Sequence, residues 1–239
     1  MAIFNLFKDA YSIKARFVPS LFASVPFAFM LGVLVLNYVP LDVDNACRLL
    51  RCGAIFSALS LVFVAGIWML AFIIRGLAKY IESIVYCDGL TFPTTQILLW
   101  RNSYFPDAYK REIHKKILKD FSIRLASRTK ELDDEINARK IIALAVKRVR
   151  DKICNGRIVL QYNIHYGVVR NGAIGALIAL VPSLTLIPVG IEGDKVSWIF
   201  SMGVVLSLLY AIILIISIKA WKYFAWLYAK NLIEEYMEI

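Results

Sequence analysis

The chain has 239 residues, a formal net charge of +10 and a hydrophobic fraction of 59%. Together with a mean hydropathy of +0.64, this composition excludes an ordinary soluble domain. We therefore predict an all-α polytopic membrane protein. It would have four transmembrane helices, with a helical cytoplasmic domain between the second and the third.

Four apolar runs carry this prediction, because each approaches or exceeds the length of about 20 residues that crosses a bilayer. The third run is the weakest, since it is short and contains Pro182 and Pro188. None of the runs resembles a cleavable signal peptide. They cover residues 18–39, 53–74, 172–189 and 196–218.

The charges around these runs predict the domains and the topology. Residues 75–171 hold 19 Lys and Arg against 10 Asp and Glu, whereas the charges of the loop 40–52 cancel. By the positive-inside rule, both termini and the middle segment are expected to be cytoplasmic. The predicted domains are 1–75, an interfacial helix with two spans; 76–171, a basic helical domain; and 172–239, two spans with an amphipathic tail.

Four cysteines and two histidines offer little for metal or redox chemistry. Cys47 and Cys52 fall in the predicted outer loop, where a disulfide is chemically permitted, and whether they pair stays open. Cys87 and Cys154 are expected to be cytoplasmic and reduced. The chain has no zinc-ligand spacing, so we predict no metal site and no cofactor.

The middle segment is predicted to begin as an extension of the second transmembrane helix. This helix continues to Tyr86, and the sequence Cys87-Asp88-Gly89 then stops it. Thr94 or Thr95 is expected to cap a short apolar segment, or alternatively to hold an anion.

Two further helices are predicted in the middle segment. One begins at Pro106-Asp107 and repeats apolar residues every four positions. Because His114 is followed by two lysines on this basic helix, we expect it to face water. Asp133 or Asp134 caps the next helix, which carries cations in its last turn.

The cations that end this helix form a candidate basic surface. Attraction to anionic lipid, contact with an acidic protein partner and contact with nucleic acid are the three interpretations. The acids within residues 131–135 interrupt a continuous nucleic-acid track, so nucleic acid is expected only indirectly, through a partner. The surface comprises Lys147, Arg148, Arg150 and Lys152.

Nine residues from Asn163 to Asn171 join the basic segment to the third apolar run. On a helix, Asn163, Tyr166 and Arg170 share one face because they are spaced i, i+3, i+7. Gly167 would let another helix approach closely. The polar groups must find partners at a membrane border, either as an interfacial anchor or as a working site for a ligand or a gate.

Small residues line one side of the third run. Their small-xxx-small spacing permits tight helix contact. We predict a homo-oligomer that packs partly through this face. The residues are Gly172, Gly175, Ala176 and Ala179.

The sequence also disfavours several classes of protein. It contains no P-loop, dinucleotide fingerprint or nucleophile elbow, so we predict no enzyme and no catalytic residue. The centres of the apolar runs contain no Asp, Glu, Lys or Arg, which disfavours a coupled transporter. A pore formed by several copies stays open.

Three pieces of the chain together resemble a poorly characterised family of bacterial multi-pass membrane proteins. They are Tyr11-Ser-Ile-Lys-Ala-Arg16, Phe92-Pro-Thr-Thr95 and the Asn163 to Asn171 stretch. The last is similar to a family pattern, Asn-x-x-Tyr-Gly-x-x-Arg-Asn, which this chain keeps in full. The family implies no established activity. An architectural likeness also links the chain to membrane accessory and effector proteins of antiviral systems, including those of RNA-guided type VI systems.

These observations lead to one hypothesis and one alternative. The hypothesis is a non-enzymatic inner-membrane effector or accessory protein of antiphage defence, oligomeric and membrane-permeabilising on a cytoplasmic cue. Its partners would be the lipid bilayer, further copies of the chain and a cytoplasmic protein. The alternative is a membrane scaffold that anchors a cytoplasmic protein or nucleoprotein complex.

Overall fold

The structure is a computed structural model that describes residues 11–38, 46–153, 157–191 and 197–239. Side chains are described for residues 11–34, 60–153, 158–191 and 198–239. Every regular element in these ranges is a helix. The α-helices are α1 (Val18–Tyr38), α2 (Ala46–Val85), α3 (Pro93–Gln96), α4 (Asp107–Phe121), α5 (Arg128–Asp133), α6 (Glu135–Lys152), α7 (Arg157–Ile191) and α8 (Ser197–Glu238).

Two short helical turns of other types lie next to the first two α-helices. A π-helical turn, Ser12–Phe17, leads into α1, and a 3-10 turn, Cys87–Gly89, follows α2. In the second turn Cys87, Asp88 and Gly89 all have positive φ, at 46°, 53° and 91°. Because L-residues rarely adopt this backbone region, the turn ends the long helix as the sequence predicted.

Four helices are long and apolar enough to cross a membrane, which confirms the predicted all-α polytopic class. Large apolar side chains on them stay exposed within the chain, as at Leu61 (73%) and Phe72 (63%). Lipid is the solvent that such a surface suits. The candidate spans are Ser12–Leu34, Ser60–Val85, Ile158–Ile191 and Trp198–Glu238.

The helix that contains the second span begins before the predicted apolar run. Because α2 starts at Ala46, part of the predicted outer loop 40–52 is helical. Cys47 and Cys52 therefore lie in a helix, but their side chains are outside the described part of the structure, as is Cys154. Whether Cys47 and Cys52 pair stays open.

The chain divides into two compact units. α2, α7 and α8 contribute residues to both. Residues 220–239 belong to the same unit as most of the middle segment, and the predicted domain bounds stay a prediction. The first unit comprises Met1–Ala78 and Gly167–Lys219, and the second comprises Lys79–Tyr166 and Ala220–Ile239.

The first unit holds the apolar parts of the long helices. The hydroxyl of Tyr210 on α8 donates a hydrogen bond to the carbonyl of Phe22 on α1, with an O–O distance of 2.5 Å. A Cβ at Gly203 would lie 3.0 Å from the backbone nitrogen of Ile187. Glycine thus permits α8 to pack closely on α7.

The second unit is built around a cluster of aromatic rings. The ring of Phe92 lies 4.8 Å from Tyr86, 5.7 Å from Tyr166 and 6.5 Å from Tyr228, all edge to face. Such pairs are favourable because a ring edge meets a ring face of opposite partial charge. Tyr228 comes from the end of α8, so the C-terminal residues are part of this core.

Candidate functional site

The predicted junction stretch is divided between the two units. Asn163 and Tyr166 belong to the second unit, whereas Gly167, Arg170 and Asn171 belong to the first. Asn163, Tyr166 and Arg170 all lie on α7, so the shared face predicted for them stays a prediction, and the contacts of each residue lie within its own unit.

In the second unit, Tyr166 is a core residue. Only 4% of it is exposed. Its hydroxyl accepts a hydrogen bond from the indole nitrogen of Trp221 at 3.1 Å, and its ring stacks on Tyr228 at 6.4 Å. Asn163, one turn earlier, is half-buried. The phenol thus finds its partners inside the protein, which gives Tyr166 a packing role.

In the first unit, Gly167 permits a close helix contact. A Cβ at this position would lie 2.9 Å from the Cβ of Ala15 and 3.1 Å from the hydroxyl oxygen of Tyr11. Cβ atoms do not approach each other so closely without a shift of the backbone. The close approach predicted at Gly167 therefore takes place within the chain, against the start of the first span.

Asn171 lies one helical turn after Gly167 and contacts the same segment. Its side-chain nitrogen donates to the carbonyl oxygen of Ala15 at 2.5 Å, and the residue is 1% exposed. In an α-helix that carbonyl would accept from the N–H of residue 19, but Pro19 has no N–H. Asn171 therefore supplies a side-chain donor to a carbonyl whose α-helical donor is missing.

Arg170 is buried beside this hydrogen bond. It is 4% exposed, and its Nε and Nη2 atoms each lie 3.4 Å from the side-chain oxygen of Asn171. The interfacial-anchor interpretation requires a guanidinium that reaches lipid headgroups. Burial within the first unit contradicts that interpretation and makes Arg170 part of the internal polar cluster.

The small-residue face of α7 is also used inside the chain. A Cβ at Gly175 would meet the Cβ of Ala23 and the carbonyl of Pro19, each at 3.3 Å. Ala176 and Ala179 are 3% and 0% exposed. These three positions are covered by the chain itself and are not free to contact a second copy. Gly172 is half-buried, near Ser217, and the homo-oligomer stays a prediction without this interface.

The four cations of the predicted basic surface are all exposed on α6, but two of them have aromatic partners. Arg150 lies over the ring of Tyr228 at 5.8 Å. Lys152 donates to Asp120 at 2.7 Å and lies 5.8 Å from the ring of Tyr236. The hydrogen bond from Lys152 is the main cause that lowers the pKa of Asp120.

Lys147 and Arg148 project from the same helix, and both are exposed. Lys147 lines a cleft of about 450 Å³ together with Arg150. The predicted surface is thus split. Lys152 fixes the helix to its own unit, and Lys147 and Arg150 border a concave space.

Sequence reasoning missed two buried charges that organise the second unit. Lys110 is 0% exposed, and its ammonium donates to the carbonyls of Leu99 (2.8 Å), Trp100 (3.3 Å) and Asn102. Glu131 is 4% exposed and accepts from the N–H of Trp100 at 2.9 Å and of Arg101 at 3.2 Å. The ammonium of Lys110 therefore binds carbonyl groups of the loop that follows α3, and the carboxylate of Glu131 binds N–H groups of the same loop.

A signal for Lys110 was present in the sequence. It precedes Ile113 by three residues and Ile117 by seven, so it lies on the apolar face of α4. A lysine on such a face needs acceptors that bind its charge. The burial of Glu131 had no comparable signal, because neighbouring acids suggested an exposed run.

His114 is another difference from the sequence prediction, which placed it in water. Its ring packs at 4.8 Å against Trp100. Its Nε2 is buried and has no hydrogen-bond partner within the described residues. Burial lowers the pKa of His114, although a hydrogen bond with the backbone of Leu98 opposes the shift.

The threonines after the turn are both buried, and neither caps α3 in the way predicted. Phe92 occupies the N-cap position without a side-chain cap, and Pro93 begins the helix. The hydroxyl of Thr95 donates to the carbonyl of Gly89 at 2.9 Å. Thr94 lines the cleft although it is 2% exposed.

The described part of the chain contains no group of three or more His, Cys, Asp or Glu side chains that could hold a metal ion. A scan against protein-family models finds no match. Searches of curated proteins and of solved structures find no significant match either. The family resemblance of the junction stretch therefore stays a prediction.

Proposed function

We propose that this protein is a non-enzymatic effector or accessory protein of a bacterial inner membrane that acts in antiphage defence. A cytoplasmic cue would act on the basic helical unit, and the membrane-spanning unit would respond by permeabilising the bilayer. Both termini and the basic unit would be cytoplasmic.

One observation carries the link between cue and response. α2, α7 and α8 each supply residues to the apolar unit and to the basic unit. The three helices are 40, 35 and 42 residues long. Because each helix has residues in both units, a ligand that binds the basic part of a helix would act on an element that continues into the apolar part. α7 contains Pro182 and Pro188, which lack an N–H and are places where a helix can bend.

The composition of the apolar unit favours a passive response over coupled transport. Residues 172–189 and 198–218 contain no Asp, Glu, Lys or Arg, and proton- or ion-coupled carriers need such groups near the membrane centre. A passage for ions would then require several copies around an apolar constriction that opens by wetting. Homo-oligomers are therefore part of the proposal.

Membrane potential in a bacterial host tests the proposal. The wild-type chain, an empty vector and the Gly167→Leu variant are compared with a potential-sensitive dye during phage challenge. We expect phage-triggered depolarisation and a reduced phage yield with the wild type alone, at matched protein levels.

Two other outcomes would contradict a permeabilising effector. Unchanged phage yield in all three strains would remove the defence role. Reduced phage yield with an intact membrane potential would favour the scaffold instead. In that case, crosslinking from Lys147 and Arg148 should recover a cytoplasmic protein from challenged cells.

A further inference from the structure

A cleft of about 450 Å³ opens within the second unit, bordered by the end of α2, the turn after it, α3 and α6. This volume falls in the range of about 300–1,000 Å³ that is usual for small-molecule sites. We propose that the cleft binds a phosphate ester whose organic part carries hydrogen-bond donors. The ligand would be either a soluble nucleotide or a phospholipid headgroup.

Cations on two elements provide the phosphate contact. Lys147 and Arg150 are exposed and lie three residues apart on α6, so they share a helix face. Lys79, from the end of α2, lines the same space. Lysine and arginine bind phosphate oxygens through charge-assisted hydrogen bonds, which are about twice as strong as neutral ones.

Carboxylates define the rest of the ligand. Glu82 and Asp88 also line the cleft, so its three cations are partly balanced and the lining is only mildly positive. This balance suits a phosphate ester of low charge and disfavours a polyanion such as a nucleic-acid backbone. A carboxylate accepts hydrogen bonds, and the organic part should therefore present hydroxyl or ammonium donors.

A threonine hydroxyl adds a third kind of contact. Thr94 lines the cleft, and a hydroxyl can donate one hydrogen bond to an anion. A phosphate oxygen would accept from it.

The rim of the cleft carries backbone strain. Cys87 and Asp88 are non-glycine residues with φ of 46° and 53°, a conformation that L-residues adopt rarely. The turn places Asp88 on the lining. Strain of this kind concentrates where a binding site fixes the position of a side chain.

The cleft would be the place where the cytoplasmic cue acts, and in that respect this inference rests on the proposed function. Binding is measured directly and without a membrane readout. A protein that binds but does not depolarise membranes would leave the inference standing and overturn the proposed function.

Hydrogen exchange of the full-length protein in detergent tests the inference. The soluble probes are adenosine 5′-monophosphate and inorganic phosphate. The lipid probe is a phosphatidylcholine nanodisc with or without phosphatidylethanolamine, because phosphatidylcholine lacks N–H donors. We expect protection of residues 79–95 and 143–150 by the nucleotide or by the phosphatidylethanolamine nanodisc, and weaker protection by inorganic phosphate.

Matched variants on one helix identify the site. Lys147→Gln should weaken the apparent affinity about tenfold, the effect of losing one charge-assisted hydrogen bond. Lys140→Gln, an exposed position of α6 outside the lining, should leave it unchanged, and Thr94→Val should weaken it. No protection by any probe, or equal affinity of the Lys147 and Lys140 variants, would overturn the inference.

Discussion

The side-chain amide of Asn171 donates a hydrogen bond to the backbone carbonyl of Ala15, across 156 positions of the chain. Ala15 precedes Pro19 by four residues, so the donor that an α-helix would provide is missing. Gly167, one turn before Asn171, removes the Cβ that would collide with Ala15. Asn171 and Gly167, both on α7, thus pack together against the π-helical turn at the start of the first span.

The first prediction concerns this contact between α7 and the start of the first span. Gly167→Leu should lower the stability of the protein in detergent by about 2 kcal/mol or more, because its side chain would overpack against Ala15 and Tyr11. Gly66→Leu is the control, since a Cβ at Gly66 meets nothing within 4 Å. Thermal unfolding of the two variants compares them, and equal melting temperatures would refute the close contact.

The second prediction separates geometry from charge at the neighbouring arginine. Arg170 is buried, so Arg170→Ala should reduce phage resistance and stability while insertion stays normal. Arg170→Lys keeps the charge but loses the planar fork, and we expect it to fail as well. Phage challenge with matched protein levels is the measurement. Wild-type behaviour of the lysine variant would show that charge alone suffices.

The third prediction concerns the buried lysine of the second unit. Lys110→Met removes three hydrogen bonds to loop carbonyls and leaves Glu131 buried without its counter-charge. We expect the opening free energy of residues 97–102 to fall by about 3 kcal/mol. Hydrogen exchange of that segment measures it. Lys115→Met, at an exposed position on the same helix, should leave exchange unchanged, and equal effects would contradict the assigned role.

The fourth prediction is a pH dependence that arises from His114. Burial holds its folded pKa below the unfolded value of 6.5. As pH falls below 6.5, the unfolded chain binds the proton first, so the folded state loses stability until its own pKa is reached. Asp120, whose pKa is lowered from 3.8, affects stability only at lower pH.

Thermal unfolding between pH 7.5 and 5 measures this effect. The melting temperature of the wild type should fall over that interval. His114→Phe should reduce the slope, because the variant keeps an aromatic contact with Trp100 but has no group to protonate. The same slope in both proteins would assign the pH dependence to other residues.

The fifth prediction is the topology, which rests on the charge of the middle segment. Reporter fusions after Asp107 and Gly193 should lie on opposite sides of the membrane, with Asp107 in the cytoplasm. This expectation rests on the excess of Lys and Arg over Asp and Glu in residues 75–171. Reporters on the same side would rule out four spans between cytoplasmic termini.

The sequence by itself determined the fold class and most helix positions. Runs of apolar residues predicted four long helices because backbone groups in a bilayer must be satisfied within one segment. The stop after Tyr86, the start of α4 at Asp107 and the cap at Asp134, which accepts from Asn137 at 3.0 Å, follow from local chemistry. Such features depend on neighbours within a few residues, which a sequence displays directly.

Only the tertiary structure decided which polar residues meet. Asn163, Tyr166 and Arg170 share a helical spacing, yet two of them pack in one unit and the third in the other. Lys110 and Glu131 both form hydrogen bonds with the backbone of one loop. Asn171 donates a hydrogen bond to the carbonyl of Ala15. A buried polar group takes the partner that folding brings within hydrogen-bond distance. That partner lies far along the chain, so the spacing of residues on one helix does not identify it.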